Sequence, residues 1–247
     1  MTGTVLITGV AGGIGRATAD VFADHGWHVV GVDRRKEEIG SVDHFIKADV
    51  SDAETSTRIF TEVEEQEGHL DALVNNAAIQ ICKPVTELTV EEWDATMDSN
   101  LRSVFLAVRN AHSLLKPGGA IVNVSSVHAV ATSADISAYA ASKGGILAFT
   151  RALSIEFSDD EIRVNAVLPG AVDTEMLRDG LDRDHAGDGS ISDRVRALGA
   201  RHVIGRVGQP EEIADTILFL ADSDQSSFVT GEALTVDGGA TTRLSTE

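Results

Sequence analysis

Short apolar runs that alternate with helical patterns from end to end set the strongest limit on what this chain can fold into. The runs are Thr4–Thr8, His28–Val32, His44–Ala48, Ala72–Asn75, Gly119–Val124, Arg163–Leu168 and Ala233–Val236. Several are apolar on consecutive positions, the pattern of a strand covered on both faces. Between them, helical spacing recurs over Ile14–His25, Asp52–Glu67, Val90–Leu115, Ala138–Phe157 and Pro210–Ala221. Such alternation builds βαβ units on a parallel sheet, and right-handed crossovers place helices on both faces. The expectation is an α/β, Rossmann-type, doubly wound parallel sheet of about seven strands. No repeat, low-complexity tract or Pro/Gly-rich linker divides the 247 residues, so they read as a single domain. The stretch 175–207 stands apart, polar, punctuated by glycine and without a strand signal. Long irregular segments in compact domains serve as lids or binding loops, and a substrate lid is expected there.

The remaining composition excludes several classes. No apolar run approaches the roughly 20 residues that span a bilayer, and the short Val5–Ile7 run reads as a strand, not a signal peptide. Cys82 is the single cysteine and has no internal partner for a disulfide, which points to a reducing, cytoplasmic setting. No chemistry below requires that thiol, and it reads as a structural or loop residue. With 39 acids against 20 bases, the net charge is −19, which repels nucleic acid and anionic membrane alike. Five lysines stand against fifteen arginines, and an acidic, lysine-poor surface is expected of a protein adapted to high salt.

Between the first strand and the first helix lies Thr8-Gly9-Val10-Ala11-Gly12-Gly13-Ile14-Gly15. Glycines there permit a sharp turn and let a pyrophosphate approach the N–H groups of a helix N-terminus. The spacing G-x-x-x-G-x-G differs from the commonest dinucleotide fingerprint, and alone it fits an ordinary glycine-rich turn too. Asp33 closes the second strand eighteen residues after Gly15, where an acid can accept from ribose hydroxyls and repel a 2′-phosphate. NAD is therefore expected over NADP, although Arg34 and Arg35 follow directly and a guanidinium can bind phosphate. Asp49-Val50 ends the third strand at a place where adenine can be contacted. Asn76 and Ala77, in Asn75-Asn76-Ala77-Ala78, can steady a loop beneath the cofactor.

The proton chemistry centres on Tyr139, the only tyrosine, with Lys143 four residues on. Residues four apart share a helix face, and an ammonium beside a phenol lowers the phenol pKa, which suits it to general acid/base work. Ser126 follows a strand and can orient a substrate oxygen. Each also has a plain reading: a core tyrosine, a solvated lysine and a turn serine. No His/Cys cluster has metal-ligand spacing, and Gly-x-Ser-x-Gly is absent, so neither a metal site nor a hydrolase is expected.

Taken together, the glycine loop Thr8–Gly15, Asp49, Asn75–Ala78, Asn100, Ser126, Tyr139, Lys143, Asn165–Gly170, Thr174 and the tail Gly231…Val236-Asp237-Gly238-Gly239 resemble the short-chain dehydrogenases/reductases over essentially the whole chain. Ser126 precedes Tyr139 by thirteen residues, that family's usual gap. The resemblance implies that Tyr139 transfers a proton to or from the substrate oxygen. Lys143 would bind the nicotinamide ribose and lower the tyrosine pKa, Ser126 would hold the substrate oxygen, and Asn100 would support a water-linked relay through a helix irregularity. It further implies cofactor contacts from Pro169, Gly170, Val172 and Thr174, a pro-S hydride, and a homotetramer or homodimer built on the helices around 90–115 and 138–157. The glycine loop lacks the basic residue often seen in NADP-preferring members, as Ala11 and Gly12 stand there.

The pocket wall is expected near Gln80–Lys83, His128 and Gly170, with Gln80, His128 and Gly170 as substrate contacts. The polar character of Gln80, Lys83, Asp135 and the lid favours a sugar, polyol or hydroxy acid over a steroid. His128 reads equally as a partly exposed loop residue. Two alternatives stand beside the dehydrogenase. One is an NADPH-dependent 3-oxoacyl-(acyl-carrier-protein) reductase, whose acidic carrier this acidic chain would repel. The other is a non-catalytic nucleotide sensor on the same fold, whose signature would be the loss of Tyr139 or Lys143.

Overall fold

The computed structural model describes residues 3–35, 38–182 and 189–242. Seven strands, β1 (Thr4–Thr8), β2 (His28–Asp33), β3 (His44–Lys47), β4 (Leu70–Asn75), β5 (Leu115–Val124), β6 (Arg163–Pro169) and β7 (Ala233–Val236), form one sheet. All its pairings are parallel, in the order β3-β2-β1-β4-β5-β6-β7. The order reverses between β1 and β4, which opens a crevice at the carboxyl ends of these two strands.

Side-chain alternation in β1 explains why both faces are covered. Val5 and Ile7 point into a core with Phe22 of α1 (Gly13–Asp24) and with Ile213 and Ile217 of α8 (Pro210–Ala221). Leu6 points the other way, towards Ile59 and Val63 of α2 (Ala53–Glu67), Val108 of α4 (Ser103–Ala111) and Ile146 of α5 (Ser137–Glu156). Burying each such side chain is worth roughly 1.5–3 kcal/mol, so the consecutive apolar strand runs are a direct record of the double cover. Local signals fix the helix ends. Asp52 accepts from the Thr55 N–H at 2.8 Å at the start of α2, Thr89 and Glu92 form a capping box at α3 (Val90–Met97), and Pro210 opens α8.

Two expectations are corrected. Val90–Leu115 is not one helix: α3 passes into a π-helical turn at Asp98–Arg102, then α4, and Leu115 opens β5 by pairing with Leu70. Leu114 and Leu115 continue the apolar spacing of the helix, but the sheet claims Leu115 before Lys116-Pro117-Gly118-Gly119 bulges outward. Nor is the segment 175–207 irregular, because it contains α6 (Glu175–Leu181) and α7 (Ile191–Gly199). Thr174 caps α6 and Ser190 caps α7, signals that the polar composition disguised. The middle of the expected lid, 183–188, lies outside the described residues. No described helix is long and apolar enough to cross a membrane.

Candidate active site

The glycine turn closes on the strand ends so tightly that side chains would not fit. Gly9 has φ +68°, and a Cβ there would sit 2.8 Å from Ala77 Cα, while a Cβ on Gly15 would lie 2.2 Å from the Gly9 carbonyl oxygen. The Asn76 amide donates to the Thr8 and Gly9 carbonyls at 3.0 Å each. Thr8 Oγ1 accepts the N–H groups of Asn76 and Ala77 at 3.1 and 3.2 Å. Asn76 and Ala77 thus brace the turn, as their sequence position predicts, and Thr8 is a brace that the sequence reading missed. Gly13 abuts Thr174, whose Cγ2 would be 2.7 Å from a Cβ there.

Helix α1 begins at this turn with Gly12 as its cap. It has no side-chain cap and no acid in its first turn, and a Cβ on Gly12 would meet only the Gly9 oxygen, at 3.4 Å. The N–H groups of the first turn therefore face an open cradle without a competing carboxylate, which fits a pyrophosphate. Ile14 beside them is half-buried and packs against the core.

Asp33 is buried at the end of β2, its Oδ2 accepting from the Ala11 N–H at 3.0 Å and its Oδ1 from the Arg35 N–H at 2.9 Å. It therefore staples the glycine turn, and each oxygen keeps a lone pair for a ribose hydroxyl. Arg34 is exposed. Asp49 Oδ1 accepts from the backbone N–H and hydroxyl of Ser51 at 2.9 and 2.7 Å, and Val50 packs against the core. Pro169 ends β6, and Gly170 is explained by packing, since a Cβ there would lie 2.8 Å from Asp237 Cα. The Val172 side chain is likewise buried in the core, leaving its backbone as what the cleft can meet.

The second half of the site lies where β5 meets α5. Ser126 caps a 3-10 turn, Val127–Ala129, by accepting the His128 N–H at 3.2 Å, and its hydroxyl is near enough to Tyr139 to pull the phenol pKa down. Lys143 Nζ lies 5.6 Å from the centre of the Tyr139 ring and donates to the Val124 carbonyl at 2.7 Å. The His128 ring stands edge-on to Tyr139 with 6.0 Å between centroids. Burial pushes Tyr139 up to about 12, against the pull of the Ser126 hydroxyl, with Cys82 raising it further. Burial also brings Lys143 down to about 7 and holds His128 below the usual histidine value.

This corrects the expectation that lysine lowers the tyrosine pKa in the protein on its own. Both groups are so desolvated that each is pushed towards neutrality.

Asn100, fully buried in the π-helical turn, clamps the loop after β4. Its Oδ1 accepts the Ile79 N–H at 2.8 Å, and its amide donates to the Ile79 carbonyl at 2.9 Å and to Ser142 Oγ at 3.1 Å. Ser142 in turn donates to the Tyr139 carbonyl at 2.7 Å. Ser142 and Ser125, whose hydroxyl donates to the Lys143 carbonyl at 2.9 Å, were also missed; their only sequence signal is adjacency to Lys143 and Ser126. Gln80 is half-buried one residue beyond the Asn100 clamp. Cys82 is partly buried.

Fold and cradle together define a Rossmann-type α/β protein with a polar Ser–Tyr–Lys cluster between the end of β5 and α5. A family model described as enoyl-(acyl carrier protein) reductase matches residues 9–241. The 3-oxoacyl-(acyl-carrier-protein) reductase FabG of Thermotoga maritima is 36% identical, over 95% of this chain and 96% of its own length. The cyclopentanol dehydrogenase of Comamonas sp. is 37% identical over 96% of each chain. The ligand-free structure of an aldohexose dehydrogenase from Thermoplasma acidophilum superposes with a TM-score of 0.92 at 30% identity, covering 98% of this chain and 95% of that one. The chain belongs to the short-chain dehydrogenase/reductase family, and it is an oxidoreductase.

Proposed function

We propose that this protein interconverts a secondary alcohol and a ketone with NAD as the hydride carrier, on a sugar, polyol or other polar hydroxy compound. The observation that carries the reading is the buried cluster of Ser126, Tyr139 and Lys143, with Lys143 Nζ 5.6 Å from the Tyr139 ring centre, set beyond the carboxyl end of β5. The nicotinamide, when bound, supplies or accepts the hydride. Gly9, Gly12, Gly13 and Gly15 give the pyrophosphate its approach, and Asp33 takes the adenosine ribose. Asp49, Val50, Thr174 and the backbone of Pro169, Gly170 and Val172 line the rest of the cleft.

Because the His128 N–H occupies one acceptor site of Ser126 Oγ, the serine proton is left to point at the substrate oxygen. Tyr139 Oη gives that oxygen a proton in reduction and takes it back in oxidation. A phenol held at about 12 is an acid at neutral pH, and a charged Lys143 is what makes its conjugate base accessible. Asn100 leaves one lone pair of Oδ1 for a water in the proton relay. Uncharged His128, together with Gln80, offers hydrogen bonds to a polyhydroxylated substrate, in keeping with the structural neighbour named for an aldohexose. The described helices of the expected lid, α6 and α7, would cover it.

An apolar groove of about 430 Å³ lined by Met97, Leu101, Phe105 and Phe149 supports self-association through α4 and α5 into a homodimer or homotetramer. The single cysteine supports a cytoplasmic setting, and the charge of −19 a salt-rich one.

Screening turnover with NAD and NADP against polyols, sugars, hydroxy acids and 3-oxoacyl thioesters tests the reading. Tyr139→Phe should cut kcat by about 10²-fold or more while leaving the Kd for NADH within about twofold, since only a hydroxyl is lost. Thioester reduction with NADPH alone would give the case to the acyl-carrier-protein reductase. A Tyr139→Phe enzyme that turns over at the wild-type rate would remove the proton-transfer role.

A further inference from the structure

We infer that Glu175, which shares the Arg35 guanidinium with Asp33, helps select between the two nicotinamide dinucleotides by holding the fork that a 2′-phosphate would otherwise bind. The inference rests on the NAD-preferring reading above. An arginine just beyond the acid at the end of β2 is, by its chemistry, a phosphate receptor: a permanently charged planar fork suited to two oxygens at once. The pair Asp33 and Arg35 therefore sends opposite messages to a phosphorylated ribose.

The structure resolves the conflict through a third group 140 residues further along the chain. Arg35 Nη1 donates to Glu175 Oε2 at 3.3 Å. Its Nε stands 3.8 Å from Asp33 Oδ1, and its backbone N–H donates to that same oxygen at 2.9 Å. The guanidinium is thus held between two carboxylates. Glu175 is seated by the residue before it, because Thr174 accepts the Leu177 N–H at 3.3 Å as the cap of α6 and packs against Gly13 of the glycine turn. The ion pair spans from the end of β2 to the start of α6, beside the cradle.

A ribose hydroxyl held by Asp33 asks nothing of Arg35. A phosphate on the same hydroxyl would carry its charge to a cation already neutralised on both sides, and would have to displace Glu175 to use the fork. Discrimination of this kind comes from a repulsive element set against the wrong ligand. Both partners are partly exposed, Arg35 at 45% and Glu175 at 74%, so the pair itself is weak and its influence falls on the competing phosphate.

Calorimetric titration of the full-length protein with NADH and NADPH tests this. Glu175→Gln keeps the shape and removes the charge, and should lower the ratio of the NADPH Kd to the NADH Kd by about two- to fivefold. Adding Arg35→Ala in the same chain should restore the wild-type ratio, because the freed fork is what gains the phosphate. An unchanged ratio in Glu175→Gln, or a gain that survives Arg35→Ala, would overturn the inference while leaving NAD preference intact. A wild-type protein that binds NADPH more tightly would overturn both.

Discussion

Replacing Lys143 with methionine should make the ligand-free protein more stable at neutral pH, although the reaction needs the lysine. Lys143 is 2% exposed, its amine donates to a single carbonyl, that of Val124, and burial takes its pKa from 10.5 to about 7. That fall corresponds to about 5 kcal/mol against the charged form. The unfolded chain holds the proton up to 10.5 and the folded chain releases it near 7. Between those values the unfolded state binds more protons, so stability rises with pH. From pH 7 to pH 9 this residue alone should add about 2 kcal/mol to the wild type. Tyr139 does not offset the gain in that window. Its raised pKa contributes stability in full below pH 10, lost only as pH climbs towards about 12. Methionine keeps the length of the side chain and titrates nowhere, but it strands the Val124 carbonyl at a cost of about 1–3 kcal/mol. The variant should therefore be the more stable at pH 7 by about 2 kcal/mol, and its advantage should vanish by pH 9. Urea denaturation of both proteins at pH 7, 8 and 9 reads this directly. Parallel pH profiles would show that the buried amine does not titrate where its burial says it should.

Two more substitutions follow from particular contacts. Gly15→Ala places a Cβ 2.2 Å from a backbone oxygen of the glycine turn, an overlap that only movement of the cradle can relieve. The affinity for NADH should fall by about tenfold or more, and a wild-type Kd in a fluorescence titration would show that the turn is not the cofactor cradle. Thr150→Val removes the acceptor of Asn123 Nδ2, which is bonded at 3.0 Å inside the sheet–helix interface. Loss of about 1–3 kcal/mol should lower Tm by about 3–10 °C, and a calorimetric Tm within 1 °C of wild type would refute the pairing.

The sheet was legible because its strands are buried on both faces and so carry their position in composition alone. Gly9, Asp33, Asn76 and Tyr139 were legible for a different reason: each has a residue type that the turn, the strand end or the chemistry requires at one place. What stayed hidden depends on contacts between distant segments. The helix irregularity at Asn100 was expected from the resemblance alone, since no local spacing marks a π-helical turn and the Asn100 side chain is tied to Ile79, 21 positions away. Nor does the spacing of Tyr139 and Lys143 reveal how dry their surroundings are, and that dryness reverses the expected direction of the tyrosine pKa. The Arg35–Glu175 pair joins two elements that no local pattern connects. Leu115 was assigned to the helix because its apolar spacing fits both neighbours, and only pairing with Leu70 decides between them.

The turn at Asp98–Arg102 also imposes a rule of counting. A π-helical turn holds one residue more than an α-helical one, so the span from α3 to α4 carries a surplus residue. Deleting it would let the two helices fuse into a straight rod, with one rotated by about 100° relative to the other. The Asn100 amide would then swing off both the Ile79 backbone and Ser142, and the loop that carries Gln80 would lose its anchor. Substitutions along this helix alter one contact at a time. A change in its length shifts the frame of everything on one side, so a one-residue deletion here should be tolerated far less readily than any single replacement on its exposed face.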